Sequence, residues 1–150
     1  MRAILVITCL LVFAAHNAPT RLAAGEPKGK GATANKLVGT WKLVSANYGG
    51  RESTLPQNAT TLKHMTPTHY MWVSFDKDGQ VTRTGGGPYT FDGEALKSTP
   101  EYGLGPDFEA IKGRRQSYQC KVEGNRWTQS GTLSNGTTLE EVWERVENPK

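Results

Sequence analysis

Cysteine, histidine and long runs of like charge are scarce in this sequence, and each scarcity excludes a class of structure or function. The chain has two cysteines, Cys9 in an apolar N-terminal run and Cys120 far from it. Without the N-terminal run, Cys120 has no intrachain partner, so a packed core must stabilise the fold. A lone cysteine with no Cys-His signature around it is typical of a small buried apolar side chain rather than a nucleophile.

No five consecutive residues carry the same charge sign, which gives nucleic-acid binding little electrostatic support. The 18 Lys+Arg exceed the 14 Asp+Glu, but removal of residues 1–25 takes away Arg2 and Arg21 and leaves 16 against 14. We therefore expect no nucleic-acid partner. The densest basic stretch, 112–115, is typical of a solvated loop before a strand.

The N-terminus has the pattern of a secretory signal peptide, a short basic start followed by the apolar run 3–15. This run is shorter than the roughly 20 apolar residues of a membrane-spanning helix, so we expect a secreted or periplasmic protein without stable membrane insertion. Cleavage is expected after Ala18 or Gly25. The predicted organisation is a signal peptide at 1–25, a flexible linker at 26–36, one β-domain at 37–146 and a tail at 147–150.

Long helical periodicity and internal repeats are also absent, whereas short β-type runs recur between turn residues. This pattern predicts an all-β fold, a single up-and-down antiparallel barrel of about eight strands whose closure removes exposed edges. One helical turn is expected at 107–112, with 53–61 as the alternative. The triple glycine 85–87, followed by Pro88, is expected to break a strand. The predicted strands are 37–48, 60–66, 69–75, 80–84, 89–91, 95–99, 116–123, 126–133 and 138–146.

Turn chemistry predicts the register of the last three strands. A two-residue turn at Gly124-Asn125 pairs Val122 with Trp127. A three-residue turn at 134–136, with its glycine in the left-handed conformation, adds Leu139, Glu141, Trp143 and Arg145 to the same face. A two-residue turn would instead add Glu140, Val142 and Glu144. We favour the three-residue turn because it groups the apolar side chains of Tyr118, Val122, Trp127, Leu139 and Trp143.

The faces of the strand 69–75 are harder to assign. Phe75 is expected opposite Val81, across the turn 76–79. One face then carries His69, Met71, Val73 and Arg83, and the other carries Tyr70, Trp72 and Ser74. Both faces are nearly equally apolar, so the sequence leaves open which one points inward.

A Gly-x-Trp motif, Gly39-Thr40-Trp41, opens the first predicted strand. The segment resembles the first strand of the lipocalin and fatty-acid-binding superfamily, and 37–146 resembles the lipocalin-like domains of exported bacterial proteins. The resemblance implies a barrel in which Trp41 closes one end and Arg145, near the end of the last strand, stacks on its ring. The alternative is that Arg145 holds a ligand carboxylate.

Binding of a small, mainly apolar molecule without chemical conversion is the function we expect of such a barrel. We expect no cofactor and no metal, because only His64 and His69 remain after the leader and a metal needs three or four ligands. Haem ligation by a single histidine stays an alternative. The predicted ligand-binding residues are His69, Met71, Arg83, Tyr89, Glu101, Tyr102, Tyr118, Trp127 and Trp143.

Two other classes of function remain open. A small barrel enzyme would use Glu101 or His69 as a general acid or base at the barrel mouth. A protein or envelope interaction module would have a filled barrel and an exposed face around Trp72. Asn58 and Asn135 match glycosylation acceptors, which matter only in a eukaryotic secretory pathway. Ligand identity and oligomeric state do not follow from the sequence.

Overall fold

The computed structural model describes residues 35–53 and 59–147, which form ten strands and one short helix. The predicted signal peptide, nearly all of the predicted linker and Asn58 lie outside these residues. None of the described helices is long and apolar enough to cross a membrane. The elements are β1 (Gly39–Tyr48), β2 (Arg51–Ser53), β3 (Ala59–Met65), β4 (His69–Asp76), β5 (Val81–Phe91), β6 (Ala95–Ser98), β7 (Tyr102–Leu104), α1 (Pro106–Glu109), β8 (Gln116–Glu123), β9 (Arg126–Thr132) and β10 (Thr138–Arg145).

Eight of these strands close an antiparallel barrel. The hydrogen-bonded order is β1, β3, β4, β5, β6, β8, β9 and β10, and β10 pairs back onto β1 to close the ring. The short strands β2 and β7 pair with the stretches of β1 and β5 that β3 and β6 leave unpaired. The prediction of an up-and-down antiparallel barrel is confirmed. The helical turn lies at α1, within the long connection where 107–112 was predicted.

The last three strands have the register that their turns predict. Val122 pairs with Trp127 across β8 and β9, and Trp143 pairs with the same Trp127 across β9 and β10. The Leu133 N–H donates to the Thr137 carbonyl at 2.8 Å and so encloses a three-residue turn, in which Gly136 has φ of 88°. The inward face of β10 is therefore the one that carries Leu139, Glu141 and Trp143.

The predicted strand break at the triple glycine is wrong. β5 runs without interruption from Val81 to Phe91, because Gly85 and Gly86 pair with β4 on one side and with β7 on the other. Ladder hydrogen bonds on both sides hold the glycines extended despite their conformational freedom. Pro88 fits because its carbonyl still accepts a bond from the Thr99 N–H at 3.1 Å.

Two β-bulges change which side chains point inward. In β1 the register against β10 shifts between Leu43 and Ser45, so that Ala46 and Tyr48 follow Trp41 and Leu43 on the inner face. Between β4 and β5, Phe75 pairs with Val81 as predicted, but the next pair is Ser74 with Arg83. A bulge inserts one residue and therefore reverses the alternation beyond it. These shifts bring Tyr48 and Arg83 to the inner face, where both line the cavity and stay partly exposed.

Candidate ligand cavity

The barrel interior is not filled. It contains a cavity of about 430 Å³, within the range of roughly 300–1,000 Å³ in which small-molecule sites fall. Trp72, Trp127, Trp143 and Tyr70 supply large aromatic surfaces, and Thr61, Ser74 and Ser98 supply hydroxyls. The other lining residues are Leu43, Tyr48, Ala59, Lys63, Met65, Arg83, Leu96, Pro106, Asp107, Ala110, Ile111, Tyr118, Gln129, Leu133, Asn135, Thr137, Leu139 and Glu141.

An ion pair lies on the cavity wall between β3 and β10. The ammonium of Lys63 is 3.3 Å from Glu141 Oε2, and both side chains are more than nine-tenths buried. Burial lowers the pKa of Lys63, and the nearby Glu141 carboxylate opposes part of that shift. Separating such a buried pair would leave a charge without compensation, which is strongly unfavourable. The two strands are therefore tied together at this point.

Three further donors hold the Glu141 carboxylate in place. Gln129 Nε2 donates to Oε2 at 2.6 Å, Trp143 Nε1 donates to Oε2 at 3.0 Å, and the Tyr48 hydroxyl donates to Oε1 at 2.6 Å. Hydrogen bonds to an ionised acceptor are about twice as strong as bonds between neutral groups. With Lys63, four donors occupy both oxygens, so Glu141 is a fixed anion rather than a free acceptor.

Two indole rings surround the Lys63 ammonium. Nζ lies 3.9 Å from the ring centroid of Trp143 and 4.8 Å from that of Trp127. The two rings are stacked, with centroids 5.8 Å apart. An ammonium over an indole face contributes about 0.5–2 kcal/mol, more where water is excluded. The tryptophans thus compensate part of the desolvation of the cation.

Three tyrosines on the cavity wall keep their hydroxyl protons. Burial raises the pKa of Tyr70 to about 12 and raises that of Tyr118 well above its ordinary value. The pKa of Tyr48 is also raised, first by burial and then by the charge of Glu141. These three hydroxyls remain neutral near pH 7 and can donate hydrogen bonds.

Cys120 lies between β6 and β9 on the inner face, fully reduced and buried. Burial is the largest cause of the raised pKa of its thiol, so it is a poor nucleophile. The Trp127 indole N–H beside it has no hydrogen-bond partner of good geometry among the described residues.

Trp41 and Arg145 form the closed end of the barrel. Trp41 is fully buried, its indole N–H donates to the Leu37 carbonyl at 2.7 Å, and the Arg145 guanidinium lies 4.1 Å from its ring centroid. Arg145 also donates to the carbonyls of Val38 and Lys36, each at 2.8 Å. Gly39 has φ of 136°, and a Cβ there would collide with the Arg145 side chain. The Gly-x-Trp motif thus provides room for the arginine as well as the ring it covers.

The mouth of the cavity lies at the opposite end. The Arg83 guanidinium and the Asp107 carboxylate form an ion pair of 2.6 Å between β5 and the start of α1. Pro106, Ala110 and Ile111 continue this wall beside them. Both charged side chains are about half exposed, so the ion pair contributes little to stability. It nonetheless places two charges where a ligand would enter.

The predicted ligand-binding residues fall into three groups. Arg83, Tyr118, Trp127 and Trp143 line the cavity. Tyr89 points inward below it at the closed end, where its hydroxyl donates to the Thr66 carbonyl at 2.6 Å and accepts from Asn35 Nδ2 at 2.8 Å. The residues on the outer surface are His69, Met71, Glu101 and Tyr102.

His69 and Met71, predicted as ligand-binding residues, point outward and so decide the orientation of β4 that the sequence left open. The opposite face of β4, with Tyr70, Trp72 and Ser74, lines the cavity. Met71 is 42% exposed, and His69 Nδ1 is 2.9 Å from the Thr68 hydroxyl in an exposed turn. The physical reason is space, because the Trp72 indole lies against Gly85 on β5, where a Cβ would be 2.9 Å from its Nε1. On the outer face, the space over Gly86, which pairs with Met71, is covered by the Tyr102 ring instead.

Glu101 and Tyr102, also predicted as ligand-binding residues, lie outside the cavity. Glu101 is exposed, and the Tyr102 ring lies on the outer surface against Gly86, with its hydroxyl donating to the Tyr70 carbonyl at 3.2 Å. Residues 102–104 form β7, which the sequence did not predict. Pairing with β5 makes this segment part of the barrel wall, in line with β6.

Sequence reasoning missed the polar centre of the cavity. Lys63 lies on a predicted strand, and Glu141 was placed on the inner face of β10, but neither was predicted as a ligand-binding residue. An acidic side chain among Leu139, Trp143 and Trp127 was the available signal, because a carboxylate is rarely buried without a partner. The cation that compensates it comes from a strand 78 residues away.

A wider depression of about 550 Å³ lies along β1, β8, β9 and β10. Several of the residues around it, including Gln119, Lys121, Ser130 and Glu140, are exposed and alternate with the cavity residues along the strands. It is larger than the interior cavity but open to solvent, so it would remove little of a ligand's surface from water. We therefore place the candidate site inside the barrel.

Fold and cavity together define a closed eight-stranded barrel with an internal site. No protein-family profile matches the sequence, and no curated protein does. Among solved structures, a redesigned β-barrel matches at 18% identity and a TM-score of 0.47, covering 75% of this chain and 93% of that one. A second redesigned β-barrel, mFAP1 bound to DFHBI, matches at 18% identity and a TM-score of 0.40, with 73% and 95% covered.

The fluorescent protein UnaG, as a mutant, is a third structural match. It is 12% identical, with a TM-score of 0.37, and the match covers 75% of this chain and 98% of that one. At these identities and scores, the three likenesses identify neither a family nor a ligand.

Proposed function

We propose that this protein is an exported, lipocalin-like barrel that binds a small, mainly apolar molecule in its interior and does not convert it. The observation that carries the proposal is the cavity of about 430 Å³ with its aromatic wall. Apolar surface transferred from water to such a wall contributes roughly 25 cal/mol per Å². Export rests on the signal-peptide pattern of residues 1–25 alone.

The two alternatives have less support. The enzyme required Glu101 and His69 within reach of one substrate atom, and both side chains are exposed outside the cavity. The interaction module required a filled barrel and an outward Trp72, whereas Trp72 lines an open cavity. Neither alternative therefore has a site of its own among the described residues.

Filling the cavity tests the proposal. Ser98→Phe would place a ring in the cavity, and Lys97→Phe is the matched control because Lys97 is exposed on the outer face of the same strand. Native mass spectrometry of protein from its own host would show a retained molecule, and titration with a neutral apolar fluorophore would give the affinity. We expect the wild type and Lys97→Phe to bind, and Ser98→Phe to bind about ten-fold more weakly or worse.

Two results would contradict the proposal. One is a wild-type protein that retains no molecule and binds no apolar probe. The other is Ser98→Phe binding as tightly as Lys97→Phe, which would place the ligand outside the barrel. Circular dichroism of all three proteins would show that the barrel has formed.

A further inference from the structure

The charges that line the cavity cancel. Of the described lining residues, two are basic, Lys63 and Arg83, and two are acidic, Asp107 and Glu141. Each cation has its own carboxylate, at 3.3 Å for Lys63 and 2.6 Å for Arg83. A buried ligand charge needs a compensating protein charge that is not already neutralised. The cavity offers none.

We propose that the cavity selects uncharged, planar ligands that carry a hydrogen-bond acceptor, and that Glu141 sets this preference by neutralising Lys63. The inference rests on the proposed function and specifies its ligand class. The polar group of such a ligand would lie beside the Lys63 ammonium.

Lys63 has donor capacity left for a neutral acceptor. An ammonium carries three N–H donors, and within 35–53 and 59–147 its one hydrogen bond goes to Glu141. The indoles of Trp127 and Trp143 contact the cation through their ring faces and accept no conventional hydrogen bond. A ligand carbonyl, ether or ring nitrogen at this wall would accept from the remaining N–H groups, and the protonated Tyr118 hydroxyl could add another donor.

An anionic head group would gain little at the same position. A carboxylate close to Lys63 Nζ would also be close to Glu141 Oε2, only 3.3 Å from that nitrogen, and repulsion by one would offset attraction by the other. Four donors fix Glu141 in place, so it cannot swing away. The ligand carboxylate would lose its hydration without compensation. Aromatic walls formed by Trp72, Trp127 and Trp143 favour a planar body for the ligand.

Four small ligands distinguish the effect of a hydrogen-bond acceptor on affinity from the effect of a negative charge. Fluorene and fluorenone have nearly the same shape, and only fluorenone has a carbonyl. Fluorenecarboxylate and its methyl ester differ in charge. In equilibrium dialysis with the full chain, we expect fluorenone to bind about ten-fold or more tighter than fluorene, and the ester to bind about ten-fold or more tighter than the carboxylate.

Glu141→Gln then tests the role of the carboxylate. Removing the negative charge leaves Lys63 uncompensated, so a ligand carboxylate becomes its counter-ion, and we expect fluorenecarboxylate to bind more tightly than its ester. Glu140→Gln is the matched control, because Glu140 is the adjacent residue, exposed on the outer face. It makes the same change in net charge and should keep the wild-type order.

The double variant Lys63→Met/Glu141→Gln keeps the test decisive if the single variant folds poorly, since it leaves no buried charge unpaired. We expect it to bind fluorene as the wild type does but to prefer fluorenone by no more than about two-fold. Equal binding of fluorene and fluorenone by the wild type, or a Glu141→Gln protein that still prefers the ester, would overturn this inference and leave the proposed function standing. Failure of all four ligands to bind the wild type would overturn both.

Discussion

In the described part of the chain, two cationic side chains lie on tryptophan rings, one at the closed end of the barrel and one on the cavity wall. At the closed end, Arg145 covers Trp41 at 4.1 Å from the ring centroid. At the cavity wall, Lys63 lies 3.9 Å from the centroid of Trp143. The contact is of the same kind and of similar geometry in both places.

What surrounds the two cations differs. Arg145 is only partly buried and uses its remaining donors on two backbone carbonyls, so its charge stays partly hydrated. Lys63 is buried and is compensated by the Glu141 carboxylate. The arginine can therefore act alone to close the barrel, whereas the lysine depends on one anion. Removal of the neighbouring anion would leave Lys63 as a buried, uncompensated charge, whereas Arg145 depends on no single anion.

The largest expected effect comes from removing the buried cation. Lys63→Met keeps the length of the side chain but leaves Glu141 charged and without its cation, so we expect a loss of about 3–5 kcal/mol in the free energy of unfolding. Adding Glu141→Gln should recover at least half of that loss. Urea unfolding followed by tryptophan fluorescence would measure both. A loss below about 1 kcal/mol for the single variant would show that the pair is not effectively buried.

Arg145→Met should cost less. The variant loses the contact with Trp41 and two hydrogen bonds to carbonyls, a sum of about 2 kcal/mol, and no buried charge is left behind. Arg126→Met is the control, because Arg126 is exposed and its ion pair with Glu144 is long, at 3.9 Å. It should cost no more than about 0.5 kcal/mol. Ligand affinity should be unchanged in both variants. A fall for Arg145→Met would favour the alternative in which this arginine holds the ligand.

The smallest expected effect concerns the ionisation of Tyr70 on the cavity wall. Because burial raises the pKa of Tyr70 to about 12, the unfolded chain loses this proton first and binds fewer protons than the native state above pH 10. The contribution is complete below the unfolded pKa of 10.0 and is lost as pH rises towards 12. Stability should fall by up to about 1.4 kcal/mol per pH unit for each such tyrosine.

Tyr70→Phe should therefore flatten the alkaline part of the stability curve relative to the wild type. Urea unfolding between about pH 8 and about pH 11 would give the two slopes. Equal slopes in Tyr70→Phe and the wild type would mean that water reaches this hydroxyl in the native barrel.

The parts of the fold that were predictable depend on local information. The register of β8, β9 and β10 follows from two tight turns, and the alternation of side chains then places Trp127 and Trp143 on one face. The two bulges were not predictable, because they depend on how a strand meets a neighbour distant in sequence. Without the bulge in β1, Tyr48 would point outward and Glu141 would lack its Oε1 donor.

The residues of the candidate site were predictable only on strands where one face is clearly more apolar than the other and therefore points inward. On β4 both faces are apolar, and the choice between Met71 and Trp72 depended on the absence of side chains on β5. The Lys63–Glu141 pair needs β1 to lie between β3 and β10, which is a property of barrel closure and not of any segment. The local sequence of β10 predicts that the Glu141 carboxylate points inward. That Lys63 compensates it follows only from closure of the barrel.

Two of the three adjacent glycines of β5 make room for aromatic rings, one on each face of the barrel wall. A methyl group added at Gly85 would press on the Trp72 indole inside, while one added at Gly86 would press on the Tyr102 ring outside. Two adjacent residues of β5 therefore affect different faces of the wall. A side chain at position 85 would reduce the volume of the cavity, whereas one at position 86 would displace a ring on the outer surface.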